Sequence, residues 1–413
     1  MINYEQHTLA NGLKVFFNRD RASRLAAVNL LYRVGARNES PLHTGFAHLF
    51  EHLMFRGTHR VPDYDAPVQM ACGDDNAFTN NDYTDFYLTL PKDNLALAFW
   101  LESDRMTGLD INDEKLEIEK RVVIEEFKQR YLNRPYGEMP LMLRGEVYKV
   151  HPYRWSTIGL TPDHIASATL DEVQAFYNRY YRPSNAVLAV SADTTADEVF
   201  SLAEHYFGSI ADDGVVKESL PEEPEQKGAR RLEVERDVPA VAINIAFKIG
   251  GRTSRDFFLG DLTSDILAGG ESSRLYERLI KRDRLFSSVN AYVTGEIDPG
   301  MFVFTGELLP TTSVDEAERA LWREIELLAS EAVGNYELEK VRNKFEANTL
   351  FGELNVMNKA MNLCAYEMMG DVTLINREVD IYRSLESGDI MDFSRRIFTK
   401  EHSTTLIFKP LQR

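Results

Sequence analysis

Short runs of β-branched and aromatic residues at Leu13 to Phe17, Ala26 to Val34, Asp85 to Leu90 and Ala186 to Ala192 read as strands. Longer stretches at Asn94 to Met106, Glu114 to Tyr131 and Leu170 to Tyr180 read as helices. Strands and helices do not alternate strictly, so the order favours an α+β fold over a doubly wound parallel sheet.

The pattern also repeats. Ala27 to Arg37 is an alternating run ending at glycine and arginine, and Ala242 to Arg252 follows the same course 215 residues later. Phe176 to Val190 and Phe393 to Phe408 echo each other at nearly the same offset. The chain therefore reads as one domain duplicated. Residues 211–230 are rich in Asp, Glu, Pro, Gly and Lys and suit an exposed linker. The expected organisation is an N-terminal domain over 1–212, a linker over 213–230 and a homologous C-terminal domain over 231–413.

One segment breaks the apolar pattern. His48-Leu49-Phe50-Glu51-His52 sets two imidazoles and a carboxylate among Leu42, Phe46, Leu49, Phe50, Leu53, Met54 and Phe55. On a helix, His48 and His52 stand one turn apart on one face, with Glu51 pointing to nearly the same side. A helix apolar almost all round is a buried helix, and buried polar groups need partners. A zinc ion supplies one, and H-x-x-E-H is the inverted form of the H-E-x-x-H zinc helix. Shifted by 215, His48, Glu51 and His52 fall on Thr263, Ile266 and Leu267, while Gly45 falls on Gly260. The architecture tolerates ordinary residues there, so the polar trio serves something other than the fold.

A catalytic zinc takes three protein ligands, and the third must come from another element. On the helix from Glu114, Glu119 and Glu126 are seven residues apart and project within about 20° of each other. Leu116, Val122, Val123 and Phe127 flank them, so both carboxylates stand in an apolar face; Glu125 points toward its edge. A core salt bridge to arginine is the alternative use for either.

H-x-x-E-H followed 74 residues later by glutamate in E-x-x-V-V-x-E-E resembles the M16 family of pitrilysin, insulysin and mitochondrial processing peptidase. Asn11 to Val15, Gly35 to Glu39, Gly45 to His48, Asn76 to Thr79, Asn133 to Gly137, His151 to Tyr153 and Gly269 to Tyr276 carry the same resemblance. It implies two homologous domains, each a mostly antiparallel sheet flanked by helices. It implies Zn2+ held by His48, His52 and Glu126, Glu51 as general base on a zinc-bound water, and Glu119 supporting the site. It also implies an edge strand whose Asn76, Ala77 and Phe78 bind peptide by backbone pairing. His43 and His59 flank the helix and are read as surface or supporting groups.

The resemblance has one gap. Family members carry an arginine and, seven residues on, a tyrosine after the S-S-R-L-Y stretch; here Ile280 and Ser287 stand in those places. Arg274 and Tyr276 read as packing residues. The chain is about half the length of single-chain members that enclose substrate. A dimer follows, drawn as a heterodimer whose related subunit brings the Arg/Tyr pair, with a homodimer as the alternative. The leading reading is a zinc endopeptidase or oligopeptidase for unfolded peptides; the other is a non-catalytic scaffold subunit. A presequence-processing enzyme ranks lower, since no glycine-rich loop of that type appears.

Bulk composition changes this little. Hydrophobic residues at 44% and charged residues at 27% are those of a globular protein, and no 18-residue apolar run predicts a membrane span. A net charge of −18 argues against nucleic acid or anionic lipid as partner. It serves solubility first and would also suit positively charged peptides. The start lacks a basic and an apolar signal region, so the cytoplasm is expected, with the periplasm left open. Cys72 and Cys364 read as buried thiols rather than a disulfide.

Overall fold

The expected strands and helices form, most within two residues of their expected ends, in a computed structural model that describes residues 1–212, 214 and 219–411. The exception is the helix expected over Glu114 to Tyr131: it runs Asp113–Phe127 and continues as a π-turn over Lys128–Leu132.

The chain divides into two compact units. The first comprises Met1–Phe127, Trp155–Leu220 and Thr349–Arg377; the second comprises Lys128–Arg154, Pro221–Asn348 and Glu378–Arg413. The first holds β1 (Glu5–Thr8), β2 (Lys14–Arg19), β3 (Leu25–Tyr32), β4 (Asp74–Thr79), β5 (Thr84–Pro91) and β6 (Ala186–Ala192). Their order is β1-β2-β6-β3-β5-β4. Only β2 and β6 run parallel.

The second unit holds β7 (Arg230–Arg236), β8 (Ala242–Lys248), β9 (Phe286–Val293), β10 (Met301–Leu308) and β11 (Thr404–Pro410), ordered β7-β11-β8-β10-β9. Again one pair is parallel, β7 with β11. Strand for strand this is the first sheet without β1, so the repeat seen in the sequence is a repeat of topology.

The interior of each sheet is buried on both faces; β6 is buried at every residue. Each sheet takes a covering helix from the opposite half of the chain. Val356–Met368 packs on β3 and β6, and its Cys364 thiol lies 3.4 Å from the Val187 carbonyl oxygen. Met139–Val147 packs on β8 and β11. The compact units therefore interleave along the chain, whereas the expected division was a single cut at 213–230. Both faces of a buried sheet must be covered, and these helices do it.

Residues 213 and 215–218 of the expected linker lie outside the described residues. Beyond them the segment is docked. Glu223 accepts hydrogen bonds from the backbone N–H groups of Lys149, Val150 and His151 at 2.8–3.0 Å. Gln226 is buried and donates to Ser403. Both cysteines are free; Cys364 is buried as expected, but Cys72 is exposed, in a left-handed turn with φ 56°. Among the described residues no helix is long and apolar enough to cross a membrane.

Asp85 gives the first unit a pH dependence. It is fully buried on β5 and accepts a 2.8 Å hydrogen bond from the Asn29 amide. Burial, with the nearby Glu102 charge, pushes its carboxyl from 3.8 up to about 8. A folded-state pKa above the unfolded one means the native form holds the proton. Its stabilisation is complete below about pH 4 and is lost as pH rises to about 8. Asp85→Asn should remove this component, about 1.4 kcal/mol per pH unit. Urea unfolding at pH 5.5 and 7.5 checks it: the variant should gain on the wild type as pH rises, and parallel slopes would refute it.

Candidate metal centre

The helix bearing the two histidines, Phe46–Leu53, is fixed at its start. Gly45 has φ 89°, a left-handed conformation, and a Cβ there would lie 2.7 Å from the Ile158 carbonyl oxygen, so only glycine fits. The buried Glu39 carboxyl group accepts hydrogen bonds from the N–H groups of Gly45 and Ala47, both 2.8 Å, and so caps the helix. One face is then anchored: Phe50 stacks on Phe176 and Tyr181 at 5.2 and 5.3 Å. Another face brings His48 and His52 together, ring centres 4.8 Å apart.

The helix Asp113–Phe127 packs against it, held by buried Leu116, Val123 and Phe127. Its Glu126 Oε2 lies 3.8 Å from His48 Nε2 and 3.4 Å from His52 Nε2. His48, His52 and Glu126 each offer a ligand atom within 4.8 Å of the others. They are the only such group of three or more among the described residues. Ligands at about 2.0–2.2 Å in a tetrahedron stand about 3.3–3.6 Å apart. The two nitrogens and the carboxylate suit a zinc ion in chemistry, and their separations of 3.4 and 3.8 Å lie close to that range. Glu125 is exposed and outside the group.

Glu119, one turn-pair earlier on the same face, is 1% exposed. Its Oε2 is 3.3 Å from His52 Nδ1, and its other oxygen pairs with Arg56. Burial raises the Glu119 carboxyl, but His52 and Arg56 outweigh it and hold it below the usual range. Burial likewise lowers His52, yet Glu119 and Glu126 more than reverse that and lift it to about 9. His52 and Glu119 are each a cause of the other's shift.

Glu51 stands outside the ligand group. It lines a cavity of about 320 Å³ with His52, Phe55, Arg56, Asp65 and Glu119. β4, at the edge of the first sheet, packs against the histidine helix. On it Ala77 is buried, and its N–H donates to the Asn76 side chain at 2.8 Å. The Phe78 ring packs edge-on against Tyr83. His43 pairs with Glu172 and His59 with Asp110, both outside the cluster.

Two residues that shape the site escaped the sequence reading. Arg56 carried a signal, since it lies four residues after His52. Glu39 lies in the stretch Gly35 to Glu39 that carries the resemblance, but its capping role depends on a turn bringing it back to the helix start. In the second unit, Thr263, Ile266 and Leu267 are buried in the helix Arg255–Ala268, and Arg274 forks onto Glu337 at 2.8 and 2.7 Å.

The chain is similar to known proteins. A family model described as insulinase (peptidase family M16) matches residues 14–153, which contain every candidate site residue. One described as the peptidase M16 inactive domain matches residues 167–345. The zinc protease PqqE of Helicobacter pylori is 27% identical over 413 residues, covering 98% of this chain and 93% of its own. YmxG of Bacillus subtilis, described as an uncharacterized zinc protease, is 22% identical over 409 residues, 98% of either chain. The crystal structure of a protease from Helicobacter pylori superposes with a TM-score of 0.93 at 27% identity, over 99% of this chain and 100% of that one.

Proposed function

The chain belongs to the M16, or insulinase, family of peptidases, and on that premise we propose that it is a zinc-dependent endopeptidase or oligopeptidase acting on unfolded peptides. One observation carries the reading: His48, His52 and Glu126 converge from two helices and bring one ligand atom each within 4.8 Å of the others. These three residues would hold the ion. Zinc there supplies a Lewis acid for the scissile carbonyl and acidifies water. Glu51, beside the cavity, takes the proton of the attacking water and returns it to the leaving amine. Glu119 accepts from His52 Nδ1–H, which keeps the other ring nitrogen available as a ligand. The free edge of β4 receives the peptide, with Asn76, Ala77 and Phe78 along the pairing strand. Backbone pairing selects extended chains over particular sequences.

Ile280 and Ser287 in place of the family's arginine and tyrosine support a heterodimer, in which a related subunit completes the site. The scaffold reading draws on the inactive-domain match, but that match lies outside the cluster.

A quenched, unstructured peptide tests the proposal. The zinc-loaded chain, alone and with a related subunit lacking the H-x-x-E-H helix, is assayed before and after chelation. Cleavage should vanish with chelator and return with zinc, and should rise at least about tenfold with the partner. No cleavage under either condition sinks the peptidase reading; full activity of the chain alone sinks the heterodimer.

A further inference from the structure

We propose that Arg56 is a positioning residue of the metal centre: it holds one oxygen of Glu119 so that the other is aimed at His52 Nδ1. The inference rests on the zinc reading above.

Three observations lead to it. The Arg56 guanidinium pairs with one Glu119 oxygen while the second lies 3.3 Å from His52 Nδ1. Glu119 is 1% exposed, and a carboxylate that deep is stable as an anion only with its charge matched. The Arg56 main chain is tied to the same helix, since Lys115 Nζ donates to its carbonyl oxygen at 3.2 Å and to Asp110 at 2.9 Å. Side chain and backbone together lock the end of the histidine segment to the glutamate helix.

The chemical consequence follows from imidazole having two unlike nitrogens. When Nδ1 carries the hydrogen and donates to Glu119, Nε2 keeps its lone pair and faces Glu126. Glu119 can sustain that donor only while its carboxylate is turned correctly. Its side chain has three rotatable bonds, and Arg56 removes that freedom at the far oxygen. Because the guanidinium also lines the cavity, a competing role exists: Arg56 could bind an anionic group of the substrate.

Zinc affinity separates the two roles without recourse to turnover. Chelator competition should give a zinc dissociation constant about 10–100-fold weaker for Arg56→Gln than for wild type. Arg56→Lys, which keeps the charge, should recover part of the loss. Arg56→Gln combined with Glu119→Gln should bind no more weakly than Glu119→Gln alone, because both changes remove one interaction. The visible spectrum of the cobalt(II)-loaded Arg56→Gln protein should shift toward that of Glu119→Gln. Wild-type zinc affinity in Arg56→Gln, with Glu119→Gln impaired, overturns the proposal. So do additive losses, or a change confined to KM for acidic peptides. Unaltered zinc binding in His48→Ala would instead remove the metal reading itself.

Discussion

Replacing Glu51 by glutamine leaves zinc bound at one equivalent and lowers kcat for peptide cleavage by about 10²–10⁴-fold, the range expected for loss of a general base. The geometry separates the two readouts. His48, His52 and Glu126 can each offer an atom to one ion without Glu51. Glu51 stands one residue before His52 and opens onto the same cavity. Glutamine keeps the size and the hydrogen-bonding reach of the side chain but cannot take a proton. KM should change little if peptide pairs with the backbone of β4 as proposed. Metal analysis and single-turnover kinetics on the same preparation check this. A variant that turns over at the wild-type rate removes Glu51 from the chemistry; one that loses zinc reassigns it to the ligands.

Glu126→Gln has the second large effect. It should weaken zinc binding by at least about 10²-fold, since it removes one of three ligands where even a supporting partner accounts for 10–100-fold. Glu125→Gln, one residue away, should retain wild-type affinity. Glu126 Oε2 lies 3.4 and 3.8 Å from the two imidazole nitrogens, whereas Glu125 is exposed. The comparison is demanding because the residues are chemically identical neighbours. Equal losses in both variants would mean that the helix, and not one carboxylate, governs the site.

How much of this could be read from the chain depends on sequence distance. The strand and helix segments are local patterns, and they appeared where the patterns placed them, except that the helix from Asp113 gives way to a π-turn after Phe127. The choice of Glu119 and Glu126 over Glu125 was also local: helical projection puts the two seven-residue partners on one face. The repeat exposed the topology, because β8 and β11 echo β3 and β6 at a fixed offset. What stayed hidden was set by contacts far apart in sequence. Nothing local marks Val356–Met368 as belonging over β3 and β6, or Met139–Val147 as belonging over β8 and β11. Composition suggested an exposed linker, yet Glu223 and Gln226 dock its second half through specific hydrogen bonds. Cys72 is exposed and sits in a left-handed turn, neither of which a bare cysteine announces.

The exchange of covering helices sets an order on synthesis. Chains commonly fold domain by domain as they leave the ribosome. Here β3 and β6 wait, one face uncovered, until the helix ending at Met368 has been made. The nascent N-terminal segment therefore carries its histidines on an unfinished scaffold until the elements up to Arg377 have been made.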